Sequence, residues 1–424
     1  MRSLSCDVAV IGSGPAGLAA AYGARERGAE KVLVVERGGE LGGILPQCIH
    51  NGFGLEIFKE DLTGPEYATR WMRRACDADV EFLTETMVLE IGESRTLVAT
   101  NERQGLMCIR AEALVLTMGC RERPRGALAI PGSRPAGIYT AGTAQRLINI
   151  EGYMPGERFV ILGSGDIGMI MARHLVLEGA HVAGMFEILP HVSGLRRNLV
   201  QCILDFDIPL HLSATVTEVR GRQRVESLMV SEVDGEGCPL PETEREVPCD
   251  TLLLSVGLIP ENELSRQAGI PIDPVTGGPY VDEDNATRVP GIYAAGNVVH
   301  VYDLVDQVTR SALRAGRRAA DHVRRGPEPA GRRIAVEAGE NVRHVVPQHV
   351  HPQALEQHPF TLEFRVRAPL ECAVYARVHA DGETLVSRRL RYARPSEMIA
   401  VTLKPDLASR IAEAETLKVA CAPA

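Results

Sequence analysis

Hydrophobic and polar positions along this chain change period several times, and each change predicts an element. Near the start, Asp7–Ile11 is a short apolar run of strand character. Pro15–Arg27 spaces its apolar residues as a helix does, and Lys31–Glu36 is a second buried-strand run. From Gly38 to Gly64 the pattern dissolves into GGELGGILPQCIHNGFGLEIFKEDLTG, rich in Gly, Pro, Asn and aromatics. Long irregular insertions in compact domains tend to carry function. Ala111–Thr117 then reads as a further buried strand.

The alternation restarts with a strand at Arg158–Leu162, a helix at Asp166–Glu178 and a strand at His181–Phe186. Segments 214–219 and 225–233, followed by the turn-rich Asp234–Pro241, predict a β-meander. Thr251–Ser255 is another buried strand, and Gly291–Ala295 leads into a helical pattern over Leu304–Arg325. GPEPAGRR, residues 326–333, reads as a linker. Beyond it FTLEFRVR, CAVYARVHA and MIAVTLK alternate with period two and predict a small β-rich module over 334–424. The expected fold class is α/β, with two Rossmann-like three-layer dinucleotide-binding domains and a C-terminal β-rich module. The first domain covers 1–125 and 250–328, and the second, 126–249, is inserted into it.

Composition narrows the function classes. A chain of 424 residues exceeds what one core usually supports. Hydrophobic content of 45% and charged content of 24% are those of an ordinary globular protein. A net charge of −9 argues against nucleic acid or an anionic membrane as main partner. Arg121-Glu122-Arg123 and Arg317-Arg318 are short, solvated basic runs. No stretch approaches the roughly 18 apolar residues of a membrane-spanning helix. The start carries no basic-then-apolar leader, so a cytoplasmic protein is expected. Ten cysteines are scattered singly without a C-x-x-C pair, against a zinc site, an Fe–S cluster or a dithiol centre. They are expected to stay reduced.

Two glycine motifs carry the chemistry. Gly12-Ser13-Gly14-Pro15-Ala16-Gly17 lies between a strand and a helix. There the first glycine permits the turn, the second admits a pyrophosphate to the backbone, and the third allows close packing. The helix start supplies amide donors and positive dipole charge, and Pro15 suits a first helical turn. Glu36 closes the second strand, where an acid binds ribose hydroxyls. Gly163-Ser164-Gly165-Asp166-Ile167-Gly168 repeats the arrangement, with Glu187 as its acid. A carboxylate there repels a 2′-phosphate and favours NAD over NADP. Arg196 and Arg197 argue the other way unless they form a solvated helix start. Two dinucleotide folds in one chain point to two nucleotides exchanging hydride.

At this point the sequence resembles the two-dinucleotide-binding flavoproteins of the thioredoxin-reductase and pyridine nucleotide–disulfide reductase superfamily, over about residues 1–328. Leu116-Thr117-Met118-Gly119 is similar to the return motif after the first FAD segment. Ser255-Val256-Gly257-Leu258-Ile259-Pro260-Glu261-Asn262 is similar to the second return motif, and Thr287 through Gly296-Asn297 to the distal FAD motif. The resemblance implies FAD in the first fold and NAD(H) in the second, with Arg37, Gly42, Gly43 and Val88 among the FAD contacts. Asn297 stands where the family has Asp, and its amide is expected to bond a ribitol hydroxyl. The helix starting near Asp303–Asp306 is expected to aim its dipole at the flavin's pyrimidine edge. The family's redox dithiol is missing, which removes disulfide reduction by that route. ILPQCIHNGFGLEIFKEDLTGPEYA, TAGTAQR and GNVVHVYDLVD resemble a bacterial subfamily acting beside a glycerol-3-phosphate-dehydrogenase-like flavoprotein. Its distant relatives are subunits of opine, hydroxyproline and cyanide-producing amine dehydrogenases.

Cys48 and His50, in the irregular insertion, are the candidate catalytic residues. The cysteine would contact the flavin or form a sulfenate, with the histidine lowering its pKa. The alternative is a cysteine packed as a small apolar residue beside a hydrogen-bonded histidine. His300, Tyr302 and Asp303 either line the flavin or cap and pack. His344, His349 and His351 show no metal-ligand spacing.

Three functions fit. One is an enzyme passing hydride between NAD(H) and FAD and then electrons to an acceptor or partner subunit. Another is a member of a homo- or hetero-oligomer that anchors or regulates a partner dehydrogenase, with its tail as the docking surface. The third is an amine or opine dehydrogenase with its own substrate pocket near Cys48–Phe58.

Overall fold

The computed structural model describes residues 2–326 and 331–424. Pro327–Ala330, inside the expected linker, lie outside the described residues. The chain divides into two compact units, Met1–Cys120 with Pro260–Ala424, and Arg121–Ile259.

In the first unit, apolar residues of successive strands point alternately to two cores. Val8 and Val10 of strand Arg2–Ile11 enter one core, while Ala9 and Ile11 enter the other. A strand buried on both faces must be apolar throughout, which is why this segment reads as a run. It sits centrally in a seven-stranded sheet, ordered Glu81–Leu83, Val32–Val35, Arg2–Ile11, Gly105–Leu116, Thr96–Asn101 and Thr86–Ile91. Strand Ile292–Ala294 joins Gly105–Leu116 in parallel. The first strand begins five residues earlier than expected, at Arg2, because its exposed half pairs with Met107–Arg110.

Helices Pro15–Glu26 and Val305–Arg325 cross at backbone distance on one side of this sheet. A Cβ on Gly316 would lie 1.9 Å from the Ala20 carbonyl oxygen. The Ala- and Gly-rich composition of both helices is thus a packing requirement. Helix Gly64–Asp77, which periodicity alone does not reveal, is opened by a capping box between Thr63 and Glu66. Its Tyr67 and Trp71, together with Phe58 of the insertion, form an aromatic cluster that Arg74 covers.

The tail is β-rich, as its period-two pattern predicts. A five-stranded sheet (His349–Val350, Ile334–Ala338, Thr416–Pro423, Val374–Ala380, Glu383–Leu390) faces a three-stranded one (Val342–Val346, Phe360–Val366, Ile399–Leu403). One core fills the space between them.

The second unit holds a parallel five-stranded sheet, ordered Ile138–Thr140, Thr251–Leu254, Arg158–Leu162, His181–Glu187 and Leu210–Leu212. The expected meander is present as Ala214–Arg220 and Ser227–Glu232, with Arg245–Pro248 as a third strand. That short strand, interrupted by charge and ending in Pro248, carries no legible period. No helix among the described residues is long and apolar enough to cross a membrane.

Candidate functional site

The first glycine loop starts where strand Arg2–Ile11 ends. Gly12 turns with φ +99°, a conformation that L side chains rarely adopt. The Thr117 hydroxyl holds this turn, donating to the carbonyl oxygens of Ile11 at 2.8 Å and Gly12 at 3.1 Å. A Cβ on Gly17 would lie 1.7 Å from the Gly12 oxygen, so helix and strand meet only without side chains. Gly14 is the helix N-cap, carries no side-chain cap, and leads into Pro15. An uncapped helix start with backbone open to approach is a seat for a phosphate.

Other segments converge on this seat. Gly42 donates its N–H to the Ser13 carbonyl oxygen at 3.0 Å. A Cβ on Gly43 would fall 2.8 Å from the Gly14 Cα, and one on Gly296 would fall 2.9 Å from the Ala16 methyl. Glu36 accepts from Ser13 N at 2.8 Å, Ser13 Oγ at 2.7 Å and Gly38 N at 2.7 Å. The structure therefore gathers Gly12, Gly14, Pro15, Ala16, Gly17, Glu36, Gly42, Gly43, Thr117 and Gly296 around one helix start. These residues fit a dinucleotide pyrophosphate and ribose.

Val88 is placed differently. Its side chain is buried in the core with Val35 and Leu97, and its backbone pairs with Ala99. Its side chain therefore faces the core. Arg37 is exposed, and Gly119 and Gly257 have open space where a Cβ would stand. The side chain of Asn297 is already engaged. Its Oδ1 accepts from Tyr302 N at 3.1 Å, and its Nδ2 points to Cys120 Sγ at 3.6 Å. The amide expected to bond a ribitol hydroxyl also closes its own loop. Helix Val305–Arg325 begins where the sequence places it, but Asp306 sits in its first turn, 2% exposed. That carboxylate accepts from Glu56 N at 3.2 Å and Ile57 N at 3.3 Å, pinning the insertion. It also offsets part of the helix dipole expected to favour an anionic flavin.

Within the insertion the geometry of Cys48 favours the packed reading. Its thiol is 9% exposed and donates to the Ile44 carbonyl oxygen at 3.4 Å. Burial pushes the thiol up from 9.0 to about 12, the reverse of the depression expected beside His50. The His50 ring lies against Phe53 and its Nδ1 is 2.9 Å from the Asn51 carbonyl oxygen. At neutral pH the thiolate fraction of Cys48 is lower than an ordinary cysteine's by roughly a thousand-fold. Iodoacetamide at pH 7 is therefore expected to label the exposed Cys76, Cys238 and Cys372 long before Cys48. Peptide mass spectrometry reads this directly, and prompt labelling of Cys48 would return it to the reactive class.

The second glycine loop repeats the first within its own unit. Gly163 turns with φ +91°, and a Cβ there would lie 2.2 Å from the Ser255 carbonyl oxygen. Gly165 is an N-cap without a side-chain cap, Ile167 is half-buried, and the Gly168 N–H donates to Ser255 Oγ at 3.0 Å. Asp166 Oδ1 accepts from Leu195 N at 2.8 Å and Asn198 Nδ2 at 2.6 Å, which ties the 194–198 segment to the loop. Glu187 is 4% exposed and fully engaged. It accepts from Ser164 N at 2.9 Å, Ser164 Oγ at 2.6 Å, Ser193 Oγ at 3.0 Å and Leu189 N at 3.0 Å. Arg196 and Arg197 are exposed at the start of a short helix.

Motif reading passes over Ser13 and Ser164, the variable residue of each glycine motif. Each binds its acid through both backbone and hydroxyl, at the same separation of 23 residues. The signal was present in the sequence as the same residue type at the same place in both repeats. Ser255, Asp306 and the tail's Arg365 carried no such signal, since their roles depend on long-range contact.

The family profile described as pyridine nucleotide-disulphide oxidoreductase matches residues 6–319. One of the subunits of opine oxidase from Agrobacterium tumefaciens (strain Ach5) is 25% identical over 315 residues, covering 69% of this chain and 61% of that protein. The ferredoxin–NAD(+) reductase component of the benzene 1,2-dioxygenase system of Pseudomonas putida is 30% identical over 230 residues, covering 52% and 51%. The chain spans about six-tenths of the length of the curated relatives it matches. Among solved structures, thioredoxin reductase from T. acidophilum is similar in fold, with a TM-score of 0.62 and 22% identity. That match covers 75% of this chain and 99% of that one.

Proposed function

Since the chain belongs to the pyridine nucleotide-disulphide oxidoreductase family, we propose that it is an FAD-dependent oxidoreductase passing hydride between NAD(H) and FAD. The electrons then go to or come from an acceptor or partner subunit. One observation carries this reading: the serine–acid brace beneath an uncapped glycine helix start occurs twice, with the same 23-residue separation. FAD and a pyridine nucleotide are the cofactors of this family. The first loop, reinforced by Gly42, Gly43 and Gly296, is the FAD seat, and the second is the NAD(H) seat.

Bound FAD supplies the two-electron chemistry. The chain's own residues bind and orient. Helix starts at Pro15 and Asp166 receive the phosphates, and Glu36 and Glu187 stand where ribose hydroxyls are bound. The acid Glu187 favours NAD over NADP, because a 2′-phosphate would meet a buried carboxylate. Among the described residues no cysteine forms a disulfide and none stands in a C-x-x-C pair, so electron exit through a dithiol is not part of this proposal.

Anaerobic titration tests it. NADH is expected to bleach the flavin band stoichiometrically, and NADPH to do so at least about ten-fold less efficiently, a difference of roughly 1.4 kcal/mol. If neither nucleotide bleaches bound flavin, the proposal fails.

A second reading, in which the chain mainly anchors or regulates a partner dehydrogenase, draws on the relative that is one of the subunits of opine oxidase. Ile44, Ile49 and Leu55 of the insertion are 48%, 46% and 45% exposed, an apolar surface suited to a partner. Flavin that NADH leaves oxidised, together with native co-purification of a dehydrogenase, would favour it.

A further inference from the structure

Strand Phe360–Val366 alternates strictly, with Phe360, Leu362, Phe364 and Val366 buried in the tail's own core. In a free-standing β-module the opposite face would belong to water. Here its residues reach the segment between Asn297 and helix Val305–Arg325. The Arg365 guanidinium pairs with Asp303 and also donates to the Val301 carbonyl oxygen at 3.1 Å. Asp303 Oδ2 accepts in addition from Met398 N at 2.6 Å. Two residues earlier on the strand, Glu363 lies 3.6 Å from Nε2 of His300, whose side chain is 1% exposed. His344, opposite Arg365 in the ladder, turns its ring edge-on to His300 at 6.0 Å between centroids.

The segment held in this way is anchored at its other end on the first glycine loop. Gly296 packs against Ala16, and Asn297 Oδ1 closes the turn through Tyr302 N at 3.1 Å. One short stretch, 296–303, therefore touches the pyrophosphate seat at one end and the tail's three-stranded sheet at the other. Arg365 and Asp303 have side chains only 14% and 11% exposed. Removing one partner would leave a charge buried without compensation. The pair has little room to re-form elsewhere, because Arg365 also donates to the Pro395 carbonyl oxygen at 3.1 Å.

We propose that the C-terminal module is a positioning element of the flavin site. Through Arg365 and the Met398 amide it holds residues 301–303, and with them Gly296 and Asn297, in the arrangement that retains FAD. This rests on the FAD reading of the first glycine loop. Linkage makes the coupling reciprocal: if the module tightens FAD binding, FAD must stabilise the module by the same factor.

Hydrogen–deuterium exchange and flavin release test both directions. In the wild-type protein, adding FAD to flavin-stripped protein is expected to slow exchange of peptides covering 360–366 and 399–403. Arg365→Ala is expected to release FAD about ten-fold or more faster, read by the rise in flavin fluorescence, and to abolish that protection. Arg365→Lys, which keeps the charge but loses the fork, is expected to recover part of the retention. A purely structural role would lower the melting temperature of the flavin-free protein without this rescue or this protection. Should Arg365→Ala not fold, Asp303→Asn and the wild-type exchange data carry the same comparison. Wild-type protein that binds FAD while its tail peptides exchange at an unchanged rate overturns the proposal alone. Wild-type protein that takes up no FAD overturns it together with the reading on which it rests.

Discussion

Gly14→Val is expected to yield a folded protein that purifies without flavin. Gly14 has an extended backbone with φ −64°, and a Cβ there would meet only the Gly43 Cα, at 3.9 Å. The substitution therefore places little strain on the flavin-free chain, unlike one at Gly17 or Gly12. What it fills is the approach to the uncapped helix start. Charge-assisted hydrogen bonds contribute about 1.5–3 kcal/mol each, so losing two costs about 3–6 kcal/mol. That corresponds to roughly a hundred- to ten-thousand-fold in FAD affinity. The ratio of flavin to protein absorbance gives the answer, with the melting temperature of the flavin-free variant as control. Full flavin content in Gly14→Val would show that this loop does not hold the pyrophosphate.

Glu187→Ala is expected to have the next largest effect, and a composite one. The carboxylate satisfies two backbone N–H groups and two hydroxyls in a nearly closed site. Leaving buried donors unsatisfied costs about 1–3 kcal/mol each. The backbone of Ser164 and Leu189 cannot reorient, so both penalties fall on the second glycine loop. Loss of NADH-driven flavin reduction by roughly a hundred-fold is expected, with destabilisation of about 2–6 kcal/mol in denaturant unfolding. Glu187→Gln retains an acceptor and similar volume, and separates the two effects. With one oxygen left for two backbone donors it is expected to lose less stability than Glu187→Ala, yet to lose discrimination, so that NADPH gains on NADH. Unchanged nucleotide preference in Glu187→Gln would transfer the specificity role elsewhere, with Arg196 and Arg197 the nearest candidates by sequence.

These outcomes divide along the line between local and long-range information. Strand, turn and helix at Asp7–Arg27 and at Arg158–Glu178 were legible because a doubly buried strand and an Ala-Gly helix leave patterns within a few residues. Both acids were legible from their distance to the glycines. Helix Gly64–Asp77 announced itself only through Thr63 and Glu66, a capping signal easily lost behind an irregular insertion. For Cys48 the sequence left a reactive and a packed reading open, and the burial that favours the packed one is not visible in the sequence. For Asn297 the sequence shows an amide but not its contacts to Tyr302 and Cys120, which come from the fold.

By itself, then, the sequence determined that this protein has two dinucleotide-binding folds with an acid behind each glycine loop, and a β-rich tail. Each of those features is encoded by neighbours in the chain, through backbone conformation and hydrophobic period. Only the tertiary structure decided what fills the space around them. Serine hydroxyls brace the acids, Asp306 pins the insertion, and Arg365 of the tail reaches Asp303 across 62 residues. The reason is physical: burial and ion pairing depend on which surfaces meet. No local period records that meeting.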